Sequence, residues 1–148
     1  MAAHCRITED PIRPDELVRA VVGPDRGALA TFAGVVRDHH AGRAVLRLEY
    51  HAYVAMAEQI LGEIAGETSR RFGTPHVAIV HRIGRLAIGE TSVLVAVAAA
   101  HRREALAACA FAIDRVKAQA PIWKKEYYED GAVWIEGPES DGGCGADR

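Results

Sequence analysis

Val93-Leu94-Val95-Ala96-Val97-Ala98-Ala99 is followed almost at once by His101-Arg102-Arg103 and a run of helix formers, and this junction decides the fold. Seven apolar residues in succession leave no polar face, so the segment predicts a strand covered on both sides, central in its sheet. The helix that follows, from His101 to about Gln119, places Leu106, Cys109, Ala110, Ile113 and Val116 on one apolar stripe. On a wheel of 100° per residue Lys117 falls inside that stripe, about 20° from Leu106. Pro121 ends the helix, and Ile122-Trp123-Lys124-Lys125-Glu126-Tyr127 reads as an extended segment returning past the helix end.

Outward from this junction, Val77 to Ile83 predicts a second strand, joined to Thr91–Ala99 through Gly84 and Gly89. Tyr53, Met56, Ile60 and Ile64 keep helical spacing from Tyr53 to Arg71, and Gly73-Thr74-Pro75 stops that helix. Val45 to His51 alternates strictly, as a half-buried strand does. Ala28 to Val36 predicts a strand running into a polar turn, Arg37-Asp38-His39-His40-Ala41-Gly42. Pro14-Asp15-Glu16-Leu17 opens a short helix, Arg6 to Thr8 is a short strand, and Val133 to Glu136 is the last one. The order βαββαββαββ predicts an α+β domain with a largely antiparallel sheet. Residues 1–137 form one domain in this reading; from Pro138 to Arg148 there is no apolar pattern, and the tail is expected to be disordered.

With 148 residues, 49% hydrophobic content and a net charge of -2, the chain fits a single globular core and carries no nucleic-acid footprint. No apolar run reaches the roughly 20 residues a membrane span needs, and Met1-Ala2-Ala3-His4-Cys5-Arg6 does not read as a signal peptide, so a cytoplasmic location is expected. Cys5, Cys109 and Cys144 are odd in number and widely spaced, which argues against a disulfide framework or a zinc site. His4, His39, His40, His51, His76 and His81 show no metal spacing and read as surface or hydrogen-bonded residues, so neither a metal nor a cofactor is called for.

Positive charge is distributed unevenly. Fifteen of the 18 basic residues are arginines spread along the chain, and the three lysines, Lys117, Lys124 and Lys125, lie within nine consecutive residues. An amine can lose its proton and act as nucleophile or base, which a guanidinium cannot. A strand sends neighbours to opposite faces, so Lys124 shares one with Ile122 and Glu126, and Lys125 the other with Trp123 and Tyr127. Lys117 and Lys124 in one pocket would suit a reactive lysine or an anion receptacle. The ordinary alternative for Lys117 is a side chain snorkelling from the last helical turn. A second basic cluster marks the start of the same helix, where unpaired N–H groups beside His101 and Arg102 suit a phosphate or carboxylate; Arg103, followed by Glu104, reads as surface. Arg37 to His40 forms the third.

Four segments carry a family resemblance. Thr31-Phe32-Ala33-Gly34-Val35-Val36-Arg37-Asp38-His39, His81-Arg82-Ile83-Gly84-Arg85-Leu86 with Gly89-Glu90, Ala100-His101-Arg102, and Val116-Lys117-Ala118-Gln119-Ala120-Pro121-Ile122-Trp123-Lys124-Lys125-Glu126 resemble, in order, the catalytic subunits of molybdopterin synthase, the MoaE family. The resemblance implies an α/β hammerhead fold and a sulfurtransferase that makes molybdopterin, for molybdenum cofactor biosynthesis, from cyclic pyranopterin monophosphate (precursor Z). It implies that sulfur arrives as a thiocarboxylate on the C-terminal glycine of a small ubiquitin-like subunit, MoaD-like, and that two catalytic subunits form a homodimer within a heterotetramer. Carried over by position, Lys117 and Lys124 are the catalytic lysines, and Val35, Val36, Arg37, His101, Arg102, Lys125 and Glu126 join them in substrate binding. Some members carry a lysine where Val35 stands and a basic residue at Gly137-Pro138, so part of the anion binding is expected from other arginines, including across a dimer interface. Two other classes compete: a noncatalytic dimeric module that binds a ubiquitin-like partner or a phosphorylated small molecule, and a cysteine-based sulfurtransferase using Cys109 or Cys144.

Overall fold

The all-apolar strand is buried along nearly its whole length, because helices cover both of its faces. The computed structural model describes residues 4–135, and the Pro138–Arg148 tail, Glu136 and Cys144 lie outside them. In chain order the elements are β1 (Cys5–Thr8), α1 (Pro14–Val21), β2 (Ala28–Val35), β3 (His39–His40), β4 (Arg43–Ala44), β5 (Arg47–Ala52) and α2 (Val54–Phe72). There follow β6 (His76–Arg82), β7 (Gly84–Ala87), β8 (Thr91–Ala99), α3 (Arg102–Gln119), β9 (Ile122–Tyr128) and β10 (Gly131–Ile135). One sheet runs β1-β6-β8-β2, with β1 parallel to β6 and the other pairs antiparallel. A second, wholly antiparallel sheet runs β10-β9-β5-β7. Among the described residues no helix is long and apolar enough to cross a membrane.

Alternation along β8 divides the core. Val95, Val97 and Ala99 pack with Leu61 and Ile64 of α2 and Ala108 and Ala112 of α3; Leu94, Ala96 and Ala98 pack with Leu17 and Val21 of α1. Leu48, Tyr50, Leu86, Tyr128 and Val36 form a third cluster on the second sheet, and Ile83 and Ile122 bridge it to the first. The chain changes sheets at Gly84, whose φ of 93° a side chain would strain.

Two expectations are corrected. The stretch from Gly84 to Gly89 is more than a connection, since Gly84–Ala87 forms β7 on β5. The turn at Arg37–Gly42 contains a small hairpin, His39 opposite Ala44 and His40 opposite Arg43, closed by Ala41 and Gly42 with φ of 52° and 79°. Positive φ at both turn positions matches the right-handed strand twist, and Ala41 bears roughly 1–2 kcal/mol for it.

The face of α3 also differs from the apolar stripe. Ala105, Ala108, Cys109, Ala112 and Val116 are buried, whereas Leu106 is 62% exposed and Ala110 is exposed. Alanine on the inner face lets the helix approach the sheet closely, so the smallest side chains and not the largest mark the buried side. Lys117 lies roughly 120° from the middle of that stripe and is exposed on the flank of the helix.

Candidate functional site

From the flank of α3, Lys117 faces a cleft of about 240 Å³ between the two sheets. The end of β2 supplies Phe32 to Val35, the connection to β3 supplies Arg37, and β9 supplies Lys124 and Glu126. The walls are completed by His39, His40, Val45, Leu48, Tyr50 and Ser92. At Gly34 a Cβ would stand 2.7 Å from Val93 Cγ1, so only glycine lets β2 lie this close to β8. The register shifts between Gly34 and Val35, which turns Val36 into the core, 3% exposed, and leaves Val35 and Arg37 on the cleft. Val36 is therefore a packing residue beneath the site.

Glu126 forms the floor and is 3% exposed. Its Oε1 accepts hydrogen bonds from His40 Nδ1, at 2.6 Å, and from the Tyr128 hydroxyl, and its Oε2 faces Lys124 Nζ at 3.8 Å. Burial alone would push this carboxyl up, but the hydrogen bonds from Tyr128 and His40 and the Lys124 ammonium hold it below its ordinary value. Burial and the adjacent carboxylate push the Tyr128 phenol up to about 12, so it stays a donor. The buried charge is thus compensated from three sides.

Lys124 and Lys125 point opposite ways on β9, as alternation requires. Lys124 lines the cleft; Lys125 Nζ lies 5.3 Å from the ring centres of both Tyr127 and Trp134 on the outer face. His101 and Arg102 are elsewhere. With Arg103, Gly27, Ala28 and Leu106 they line a second cleft at the far end of β2. An eight-residue strand places its two ends about 23 Å apart, so within one chain these residues and Arg37 do not meet on one anion. Cys109 is buried and its thiol is pushed up to about 11 by burial, which fits a core residue. Tyr50 and Ser92 were not singled out by the sequence, whereas His40 belongs to the basic cluster Arg37 to His40 that the sequence marked.

Behind Tyr50, whose ring meets it edge to face at 5.0 Å, His81 is buried and its Nδ1 donates to the Arg82 carbonyl at 2.8 Å. Burial lowers this imidazole to about 4, against a gain from that backbone bond, and the nearby Lys117 charge lowers it further. Unfolded it titrates near its ordinary 6.5, so between those values the unfolded chain binds more protons. Stability is expected to fall as pH drops from about 6.5 to about 4, by roughly 2–3 kcal/mol from this group. Urea unfolding of the wild type and His81→Gln at several pH values checks it; the variant should lack that part of the slope.

Two amines and an arginine thus stand over a compensated buried carboxylate, on a two-sheet α+β scaffold. The family model described as MoaE protein matches residues 7–119, and the chain belongs to that family. It is 42% identical over 132 residues to "Molybdopterin synthase catalytic subunit 1" of Mycobacterium tuberculosis, covering 89% of this chain and 90% of that one. The crystal structure of molybdopterin synthase from Staphylococcus aureus superposes with a TM-score of 0.86 at 40% identity, covering 89% of this chain and 96% of that one. A complex of subunits 1 and 2 of molybdopterin-converting factor from Helicobacter pylori shares the fold, with a TM-score of 0.74 at 21% identity over 94% of this chain and 96% of that one.

Proposed function

We propose that the chain is the catalytic subunit of a molybdopterin synthase. It takes sulfur from the C-terminal thiocarboxylate of a small ubiquitin-like subunit and inserts it into precursor Z to build the dithiolene of molybdopterin. The observation that carries this reading is the convergence of Lys117, Lys124 and Arg37 on one cleft, since both the thiocarboxylate and the substrate phosphate are anions that need charged donors. Lys117 acts on the thiocarboxylate carbonyl, either by stabilising its oxygen or by amine attack on the carbon, which forms a C–N bond as the C–S bond breaks and the sulfur stays with the substrate. Lys124, held by Glu126, assists proton transfer and anion binding. Incubating the chain with a thiocarboxylated small subunit and precursor Z should give molybdopterin; no product with a competent carrier overturns the reading.

A homodimer reconciles the two clefts. Among the described residues β2 is an edge strand paired with β8 alone, and it exposes Leu29, Phe32 and Val35. Antiparallel pairing of β2 with a second copy about a two-fold axis would set that copy's His101 and Arg102 beside Arg37 and Lys117. The small subunits then occupy the two outer ends of a heterotetramer. If each site is shared in this way, mixing inactive Lys117→Arg with inactive Arg102→Ala and allowing exchange should restore about a quarter of wild-type turnover, one intact site in half of the dimers. Absence of any recovery, with mixed dimers confirmed by mass, overturns the shared site.

A further inference from the structure

Lys124, Glu126 and Tyr128 alternate along one face of β9, so the strand presents an ammonium, a carboxylate and a phenol in a row. The first two line the cleft, while Tyr128 is buried behind them. Its ring belongs to the apolar cluster of Val45, Leu48 and Leu86, and the Arg43 guanidinium, paired with Asp130, lies 3.9 Å over it. Phenylalanine would fill that place as well, and a buried hydroxyl costs free energy unless it is bonded. The hydroxyl donates to Glu126 Oε1, the same oxygen that accepts from His40 Nδ1. Two donors on one oxygen oppose rotation of the carboxylate about its last, otherwise broad torsion. Oε2 is thereby kept toward Lys124 Nζ, 3.8 Å away. The ammonium rides on a flexible stem, so its direction follows that of the fixed carboxylate.

We propose that Tyr128 is a positioning residue for the sulfur transfer: its hydroxyl fixes the Glu126 carboxylate, which in turn aims the Lys124 ammonium. The inference rests on the part that the reading above gives to Lys124. Tyr128 acts through its neighbours, since it does not itself line the cleft. A phenol suits this task because, pushed up to about 12, it remains a donor throughout the neutral range. Packing around the ring and bonding at the hydroxyl are separable, so the two roles can be told apart by substitution.

The test is a double-mutant cycle in turnover of precursor Z with the thiocarboxylated small subunit. Wild type, Tyr128→Phe, Lys124→Ala and the double variant are compared, each well below its melting temperature. Tyr128→Phe keeps the ring and should lose about tenfold in kcat, whereas in the Lys124→Ala background the same change should cost less than about twofold, because no ammonium is left to aim. Arg43→Gln loosens the cover of the ring but keeps the hydroxyl, and should stay within about twofold of the wild-type rate. Equal losses in both backgrounds, Tyr128→Phe at the wild-type rate, or Arg43→Gln as slow as Tyr128→Phe each overturn the proposal and leave the sulfurtransferase reading standing. A wild type that yields no molybdopterin overturns that reading, and the proposal with it.

Discussion

Lys117→Arg is expected to lower turnover by a hundredfold or more, about 2.7 kcal/mol in the barrier, while the protein folds and binds its small subunit normally. The substitution is chosen because it separates charge from chemistry. Arginine keeps the positive charge and a side chain of similar reach on the exposed flank of α3, so packing and anion attraction survive. What disappears is the removable proton. A noncatalytic module that only binds an anionic partner would tolerate the change, and the variant therefore decides between the two classes. Retention of a tenth of the wild-type rate, a loss of only about 1.4 kcal/mol, would rule out a role for the free amine.

Lys124 and Lys125 are adjacent, yet their replacements are expected to differ by more than about tenfold in rate. Lys124→Ala removes the ammonium that faces both the cleft and Glu126 Oε2, so it strips the anion site and unbalances the buried carboxylate together. Most activity should go, with some stability. Lys125→Ala removes a charge stacked between Tyr127 and Trp134 on the outer face. Its cost should be about 0.5–1 kcal/mol in stability, with turnover near wild type. Steady-state rates for both variants, each with its melting curve, make the comparison. A more damaging Lys125→Ala would move the working face of β9 to the aromatic side.

The sequence reading succeeded where one residue type had one explanation. A strand apolar on both faces had to be interior, and Pro121 had to end α3 before the chain could turn back. It failed on α3 because a wheel weighted by hydrophobic size favours Leu106, whereas close helix–sheet packing selects Ala105, Ala108 and Ala112. The His40–Glu126 contact joins residues 86 apart, and no local pattern announces it. His101 and Arg102 were correctly read as a helix-start cluster, but their separation from Arg37 depends on the length and direction of β2, which spacing along the chain does not reveal.

The parallel pair at the edge of the first sheet has a consequence for how the chain is made. β1 leaves the ribosome before the other described strands, and its partner positions on β6 lie 74 residues later, Cys5 opposite Ile79. Until then its apolar residues have no sheet to join, and such long loop closure slows folding. Glu58 of α2, which accepts the Ile7 amide at 3.0 Å, is synthesised before β6 and offers an earlier foothold. β1 therefore waits while a further 74 residues are made, exposed to chaperones or to misplaced pairing, before its partner strand exists.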